Sequence, residues 1–333
     1  MSEKQATINE YLSYSNLQEF STCQLKSFYS HHKKDFPPFK RGAAMVKGSA
    51  IHKAIAELHK NPSYSLDNIM RQEIDAVESE SPIPVDWGDR GYDWHIKDSI
   101  GMLDSYWKLN QDIEILSAEN WFYFQLDIDN EPVHFRGRFD QLIDSPERFI
   151  VRELKSGMLP DINVLKRDMQ LIVQAYAILF GFMDIEEKPY IGTSDPAYHI
   201  HQFERDGDKF KCIHCNAQAI RLGIKPYRDR LIYYHIPSCQ PFKKKGSPDE
   251  PRRNPEYEIN INSINFEMFQ NRMTALIRDY RKCQSTGVWQ ETANTSWSCP
   301  CSFCDYSNNC NNYLMEVDHV GNGKGACPEK ADG

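Results

Sequence analysis

Residues 121–154 limit the fold more than any other stretch of this chain. Trp121 to Ile128 is aromatic and β-branched, and Val133 to Ile143 and Phe149 to Leu154 read as two further strands. DNEP at 129–132 and Asp144–Glu147 carry turn chemistry between them. Three strands joined by such short turns form a meander, and an apolar meander must be covered by another layer. The flanking sequence supplies helices. Leu17, Phe20, Leu25 and Phe28 predict a helix over 15–30 behind a Ser15 cap, and Ile51, Ile55 and Leu58 predict one over 48–59. Two more are expected at 66–77 and 96–110. Leu165, Met169, Ile172, Val173, Tyr176 and Leu179 place a helix over 164–182, and residues 263–284 are amphipathic. Leu231–Ile236 adds a core strand. The order is helices, a meander, then a helix, which is the pattern of an α/β chain.

The 333 residues suit one elaborated domain or two small ones, and 40% apolar residues are enough for an ordinary core. No run of ~18 apolar residues is present, and the start MSEKQATINEYLSYS lacks the order of a secretory signal. The expectation is a soluble intracellular protein with no membrane partner. A net charge of −8 argues against wholesale coating of nucleic acid, but leaves room for a local basic groove. Residues 190–225 read as an inserted module, with strands His199–Phe203 and Lys209–Ile213 joined by a turn at Arg205–Asp208. The chain therefore divides into 1–189, 190–225, 226–314 and a tail, 315–333, expected to be mobile.

Three residues of the meander carry chemistry. Asp140 lies in GRFD on the second strand, and Glu153 and Lys155 lie in RELKSG at the end of the third. Residues two apart on a strand share a face, so Glu153 and Lys155 project together while Leu154 points the other way, into the core. A meander can set Asp140 beside them. Carboxylates hold Mg²⁺ or Mn²⁺, such an ion polarises a phosphodiester, and a lysine neutralises charge developing at phosphorus. A surface ion pair on an exposed strand is the plainer reading of the Glu-x-Lys triplet alone. His52, four residues after Gly48, is a candidate further ligand. Gln170, Gln174 and Tyr176 on the following helix could bind phosphate or metal-bound water, or simply form its wet face.

Ten cysteines in an intracellular chain are not expected to form disulfides. Cys299, Cys301, Cys304 and Cys310 crowd into twelve residues, and Cys23 could join them from the other end. Four thiolates fit tetrahedral Zn²⁺ or a [4Fe–4S] cluster, and spacing alone does not separate the two. Cys299 is an alternative to Cys301.

The order GxxxH at 48–52, GRFD at 137–140, ExK at 153–155 and a Gln/Tyr helix at 170–176, bracketed by Cys23 and Cys301/Cys304/Cys310, resembles the PD-(D/E)XK nuclease superfamily. It is most similar to the RecB-like branch with an iron–sulfur cluster, which includes CRISPR-associated adaptation nucleases, the AddB nuclease domain and phage exonucleases. The resemblance spans most of residues 12–312 outside the insertion. It implies a restriction-endonuclease-like α/β core with a central mixed sheet flanked by helices, and an Fe–S region joining the two ends of the chain. It implies His52, Asp140 and Glu153 as ligands of Mg²⁺ or Mn²⁺, Lys155 as the catalytic lysine, and Cys23, Cys301, Cys304 and Cys310 around [4Fe–4S]. The implied activity is a DNA exonuclease of recombination, repair or phage DNA processing, in the cytoplasm of a bacterial or phage-infected cell. A helicase, recombinase or integrase is the partner class to expect. The chain departs from the family at Phe139, where proline is common, and in the helix motif QxxxY. Gln170 lies six residues before Tyr176 and Gln174 two, so the glutamine that serves the site stays open. Glu119 is a candidate extra ligand. The rival reading is a non-catalytic DNA-binding or adaptor protein on the same fold, and the intact Asp140, Glu153 and Lys155 speak against it. A cysteine-rich zinc-binding interaction protein would leave those residues unexplained.

The inserted module offers a second metal. His199 and His201 on one strand, with Cys212 and Cys215 at the end of its partner, could hold Zn²⁺. His214, His235 and Cys239 are alternative ligands, and an incidental hairpin is the alternative reading. The basic segments 31–47, Lys166–Arg167 and 243–253, with Phe36, Phe39 and Phe242 near them, are candidate contacts for DNA ends or single strands.

Overall fold

A computed structural model of the chain describes residues 11–32, 41–145, 148–157, 162–165, 167–184, 202–207, 209–214, 217–221, 230–237 and 256–290. The first predicted helix is two, α1 (Tyr14–Thr22) and α2 (Gln24–His31). Ser13, not Ser15, caps α1 by accepting the Asn16 N–H at 3.2 Å. Cys23 then turns extended (φ −157°), and its Sγ accepts the Lys26 N–H at 3.4 Å, so the residue that ends one helix caps the next.

Next come β1 (Arg41–Gly42), α3 (Ala43–Lys60), α4 (Leu66–Ser79), β2 (Val85–Asp86) and α5 (Gly91–Asn110). The meander is β3 (Ser117–Ile128), β4 (Glu131–Ser145) and β5 (Arg148–Gly157). Asp129 and Asn130, both with positive φ (57° and 62°), make the two-residue turn between β3 and β4. The short turn α6 (Ile162–Leu165) leads to α7 (Met169–Phe180), β6 (Phe182–Asp184), β7 (Phe203–Asp206), β8 (Lys209–Cys212), β9 (Gln218–Ile220), β10 (Arg230–Pro237), β11 (Glu256–Ile259) and α8 (Phe266–Thr286).

Among the described residues nine strands form one mixed sheet, ordered β11-β10-β5-β4-β3-β6-β9-β8-β7. β10 runs parallel to β5, and the other ladders of this sheet are antiparallel. The expected α/β architecture, a large mixed sheet flanked by helices, is present. The described strands of 190–225 are continuous with it, because β9 pairs with β6 (Met183↔Ile220). β7 runs on through Asp206, so the turn falls at Gly207 (φ +64°) rather than starting at Arg205.

Two apolar clusters hold the layers together. One joins α1, α2, α7 and α8 to the sheet through Leu17, Phe20, Phe124, Phe135, Phe139, Val151 and Met273. The other joins α3, α4 and α5 to Leu154, Tyr234 and Ile236. Leu154 thus points into one core while Glu153 points away from it, as the two-residue period requires. Among the described residues no helix is long and apolar enough to cross a membrane.

Candidate active site

The site is built where β4 parts from its neighbours. The β4–β5 ladder runs from Ser145↔Arg148 to Gln141↔Arg152. Further along, the N-terminal segment takes the place of β5. The Leu12 N–H donates to the His134 carbonyl and the Arg136 N–H to the Leu12 carbonyl, both at 2.9 Å. Asp140 sits at this fork, and its Oδ2 accepts the Leu154 N–H at 2.6 Å. On the other side the β3–β4 ladder pairs Ala118↔Gln141 and Asn120↔Phe139 but skips Glu119 opposite Asp140. Glu119 has φ +58°, a left-handed backbone that costs a non-glycine residue roughly 1–3 kcal/mol and is concentrated at functional sites.

α3 brings His52 over the fork. Its Nδ1 lies 3.3 Å from Asp140 Oδ1 and 3.8 Å from Glu119 Oε1. His52, Glu119 and Asp140 each offer one ligand atom, and these atoms all lie within 4.8 Å of one another. The His52, Glu119 and Asp140 side chains are 21%, 30% and 12% exposed, so the cluster is recessed but reachable. Gly48 of the GxxxH motif is not needed for close approach, since a Cβ there would meet Ser156 Oγ at 3.5 Å, an ordinary contact.

The charges are strongly coupled. Burial works to lower the His52 pKa, but the Asp140 charge and hydrogen bond, with Glu119 and Glu153, lift it to about 9. Burial works to raise Asp140, and His52 and Lys155 hold it below the usual carboxylate range. Glu119 is raised by burial and by the charge of Asp140. Glu153 is pushed up to about 7 by burial and then by Asp140, against the pull of Lys155 and Gln174. Three carboxylates thus share this recess with the His52 imidazole, the Lys155 ammonium and the Arg138 guanidinium.

Glu153 is buried beside the cluster and bound from α7. The helix is capped by Asp168, whose Oδ1 accepts the Gln170 N–H at 2.8 Å. One turn apart, Gln170 Nε2 donates to Glu153 Oε1 at 2.6 Å and Gln174 Nε2 to Oε2 at 2.5 Å. Lys155 pairs with Glu153 Oε1 and donates to Gln170 Oε1 at 3.1 Å. Both glutamines therefore hydrogen-bond the Glu153 carboxylate. Tyr176 is not brought to it. Two residues past Gln174 it lies on another side of α7, its ring packs on Phe124 and Phe269, and its OH accepts from Gln270 at 3.2 Å.

Of the expected cluster ligands, Cys23 is described, half buried at the α1–α2 junction, whereas Cys299, Cys301, Cys304 and Cys310 lie outside the described residues. The chain leading to them runs beside Cys23. The Leu25 N–H donates to the Gln290 carbonyl at 3.0 Å, and Trp289 packs on Phe28 with centroids 5.3 Å apart. Of the expected zinc set, His199, His201 and Cys215, with the alternative Cys239, also lie outside the described residues. Cys212 is buried at the end of β8, and His235 on β10 is six places away in the strand order, so the structure does not bring those two together. Residues 33–40 of the basic segment 31–47, with Phe36 and Phe39, Lys166 of Lys166–Arg167, the segment 243–253, Phe242 and the tail are outside the described residues too.

Sequence reasoning gave no place to Arg138, whose Nη1 is 3.3 Å from Glu119 Oε2, nor to Trp121 and Arg136 next to it. Their signal was the alternation of aromatic and basic residues at every second position of two facing strands.

A family profile described as the PD-(D/E)XK nuclease superfamily matches residues 11–311. No curated protein matches the chain. Among solved structures, the crystal structure of SSO0001 is similar at 15% identity, covering 90% of this chain and 96% of its own, with a TM-score of 0.31.

Proposed function

The chain belongs to the PD-(D/E)XK nuclease superfamily, and from that premise we propose that it is a metal-dependent deoxyribonuclease acting as an exonuclease on DNA ends or single strands. The observation that carries the reading is the convergence of His52, Glu119 and Asp140 at the β4 fork, with Lys155 and Glu153 adjacent. One imidazole nitrogen and two carboxylate oxygens suit a hard divalent ion, with Mn²⁺ better served than Mg²⁺ by the nitrogen. Glu153 would complete the set. When bound, the ion polarises the phosphodiester and lowers the pKa of an attacking water.

The remaining groups have roles of their own. Lys155, fixed by Glu153 and Gln170, is a point charge placed to offset charge developing at phosphorus. Gln170 and Gln174 hold the Glu153 carboxylate in one orientation.

We assign a [4Fe–4S] cluster to Cys23, Cys301, Cys304 and Cys310, supported by the approach of Gln290 to α2. The cluster would tie the chain ends around the core. Zn²⁺ in the 199–215 module, the division at 189, 225 and 314, a helicase, recombinase or integrase partner and a cytoplasmic location stay part of this proposal.

The test is cleavage of end-labelled single- and double-stranded DNA with Mn²⁺ or Mg²⁺ by protein purified without oxygen. Metal-dependent release of label is expected from wild type and not from Asp140→Ala. Undiminished cutting by Asp140→Ala would sink the assignment. Iron that survives purification in wild type and is lost in Cys23→Ser would support the cluster, and iron-free wild type would remove it.

A further inference from the structure

The face of β3 and β4 beside the acidic fork carries cations and aromatic rings in register, and the inference drawn from it rests on the nuclease reading above. Trp121 lies directly opposite Arg138 in the ladder, and Tyr123 opposite Arg136. The Arg138 guanidinium sits 4.4 Å from the centroid of the Trp121 indole. Arg136 sits 5.1 Å from the same ring and 5.6 Å from that of Tyr11. Guanidiniums packed on aromatic faces at these distances are held in place at modest energetic cost. Arg138 also reaches Glu119 of the metal-binding cluster, so the basic face and the acidic fork are continuous.

The chemistry of this face selects its occupant. The fork gathers carboxylates, and a phosphodiester drawn to it meets like charge unless cations stand at its mouth. Arg136 and Arg138, two residues apart on one strand and about 6.6 Å of rise along it, are such cations. Phosphates are the anions they would order, and the aromatic rings suit bases that are not stacked in a duplex. Asp140, only 12% exposed, is recessed enough to favour a thin single strand over a duplex.

We propose that Trp121, Arg136 and Arg138, with Tyr11 against Arg136, form the face that leads a single DNA strand into the fork. Arg138, bridging Trp121 and Glu119, is its positioning residue beside the fork.

The experiment is fluorescence anisotropy of a labelled oligothymidylate without divalent metal, over a salt series. It compares wild type with Trp121→Ala, Arg136→Gln and Arg138→Gln. Each variant is expected to bind at least about fivefold more weakly. Each arginine variant should flatten the log–log salt dependence by about 0.7, the value for one single-strand phosphate contact. Mn²⁺ binding by Arg136→Gln, followed by electron paramagnetic resonance, should match wild type, which a merely unfolded protein would not show. Arg138 is 44% exposed, so its variant keeps the test valid if Trp121→Ala fails to fold. Arginine variants that bind like wild type with an unchanged salt slope would overturn the strand-binding face, and the nuclease reading would stand if wild type still cuts. Equal losses on a blunt duplex would overturn the single-strand preference. Wild type that neither binds nor cuts with Mn²⁺ would overturn both.

Discussion

Replacing Gln174 by methionine separates the chemistry of the site from the stability of the fold. Gln174 is 1% exposed, and its Nε2 is the donor to Glu153 Oε2. Gln170 and Lys155 both engage Oε1, so methionine leaves Oε2 without a side-chain donor among the described residues. A hydrogen bond to a charged group contributes about 1.5–3 kcal/mol. That corresponds to roughly 10- to 150-fold in any step that needs Glu153 ionised. Glu153 has little reserve, because burial and Asp140 already raise its pKa to about 7. Stability should move less than activity, since methionine removes the buried Gln174 Oε1, which has no hydrogen-bond partner among the described residues, and Glu153 with its Oε2 unpaired can take up a proton rather than stay buried as a bare charge. The assay is kcat/KM for Mn²⁺-dependent cleavage of labelled DNA, read with the thermal midpoint. Tyr176→Phe is the control, losing the bond from Gln270, and it should cut like wild type. A Gln174→Met enzyme with wild-type kcat/KM would refute the argument, and so would a Tyr176→Phe enzyme that folds normally and does not cut.

Gly137→Ala should destabilise the protein by about 1–3 kcal/mol through overpacking. The new Cβ would stand 2.3 Å from Phe122 Cζ, and that ring is 3% exposed with its centroid 4.5 Å from Phe139. A denaturant midpoint equal to wild type would show that the ring gives way. His59 should make stability depend on pH. Burial, then the charge of Arg152, lower its pKa from 6.5 to about 4, and its Nε2 lies 2.9 Å from the Tyr106 hydroxyl. The folded state then binds fewer protons than the unfolded chain between those values. Its contribution is full above pH 6.5 and is lost as pH falls toward 4. Chemical unfolding of His59→Gln over that window should show a shallower pH slope than wild type, and an unchanged slope would remove His59 as the cause.

Local patterns carried much of this protein. The alternation through Trp121–Leu154 made the meander legible, and the two-residue period alone set Glu153 and Lys155 against Leu154. The GRFD and RELKSG segments named Asp140, Glu153 and Lys155, and the structure gathers them around the fork with His52. What alternation cannot encode is the point where strands part. The switch of β4 from β5 to the segment at Leu12 joins residues more than a hundred positions apart, and the left-handed Glu119 is set by its place opposite Asp140 on the next strand, and no local period records either. The break at Cys23 escaped because the five-residue step from Phe20 to Leu25 still passes for a loose helical period, and only the cap geometry divides the two helices. Tyr176 looked like a site residue because it stands near the two glutamines in sequence, yet 100° of rotation per residue carries it to the core. Trp121, Arg136 and Arg138 are ordinary strand residues one at a time. They become a surface only when the β3–β4 register sets them face to face, because tertiary pairing, and not chain order, decides which side chains share a field.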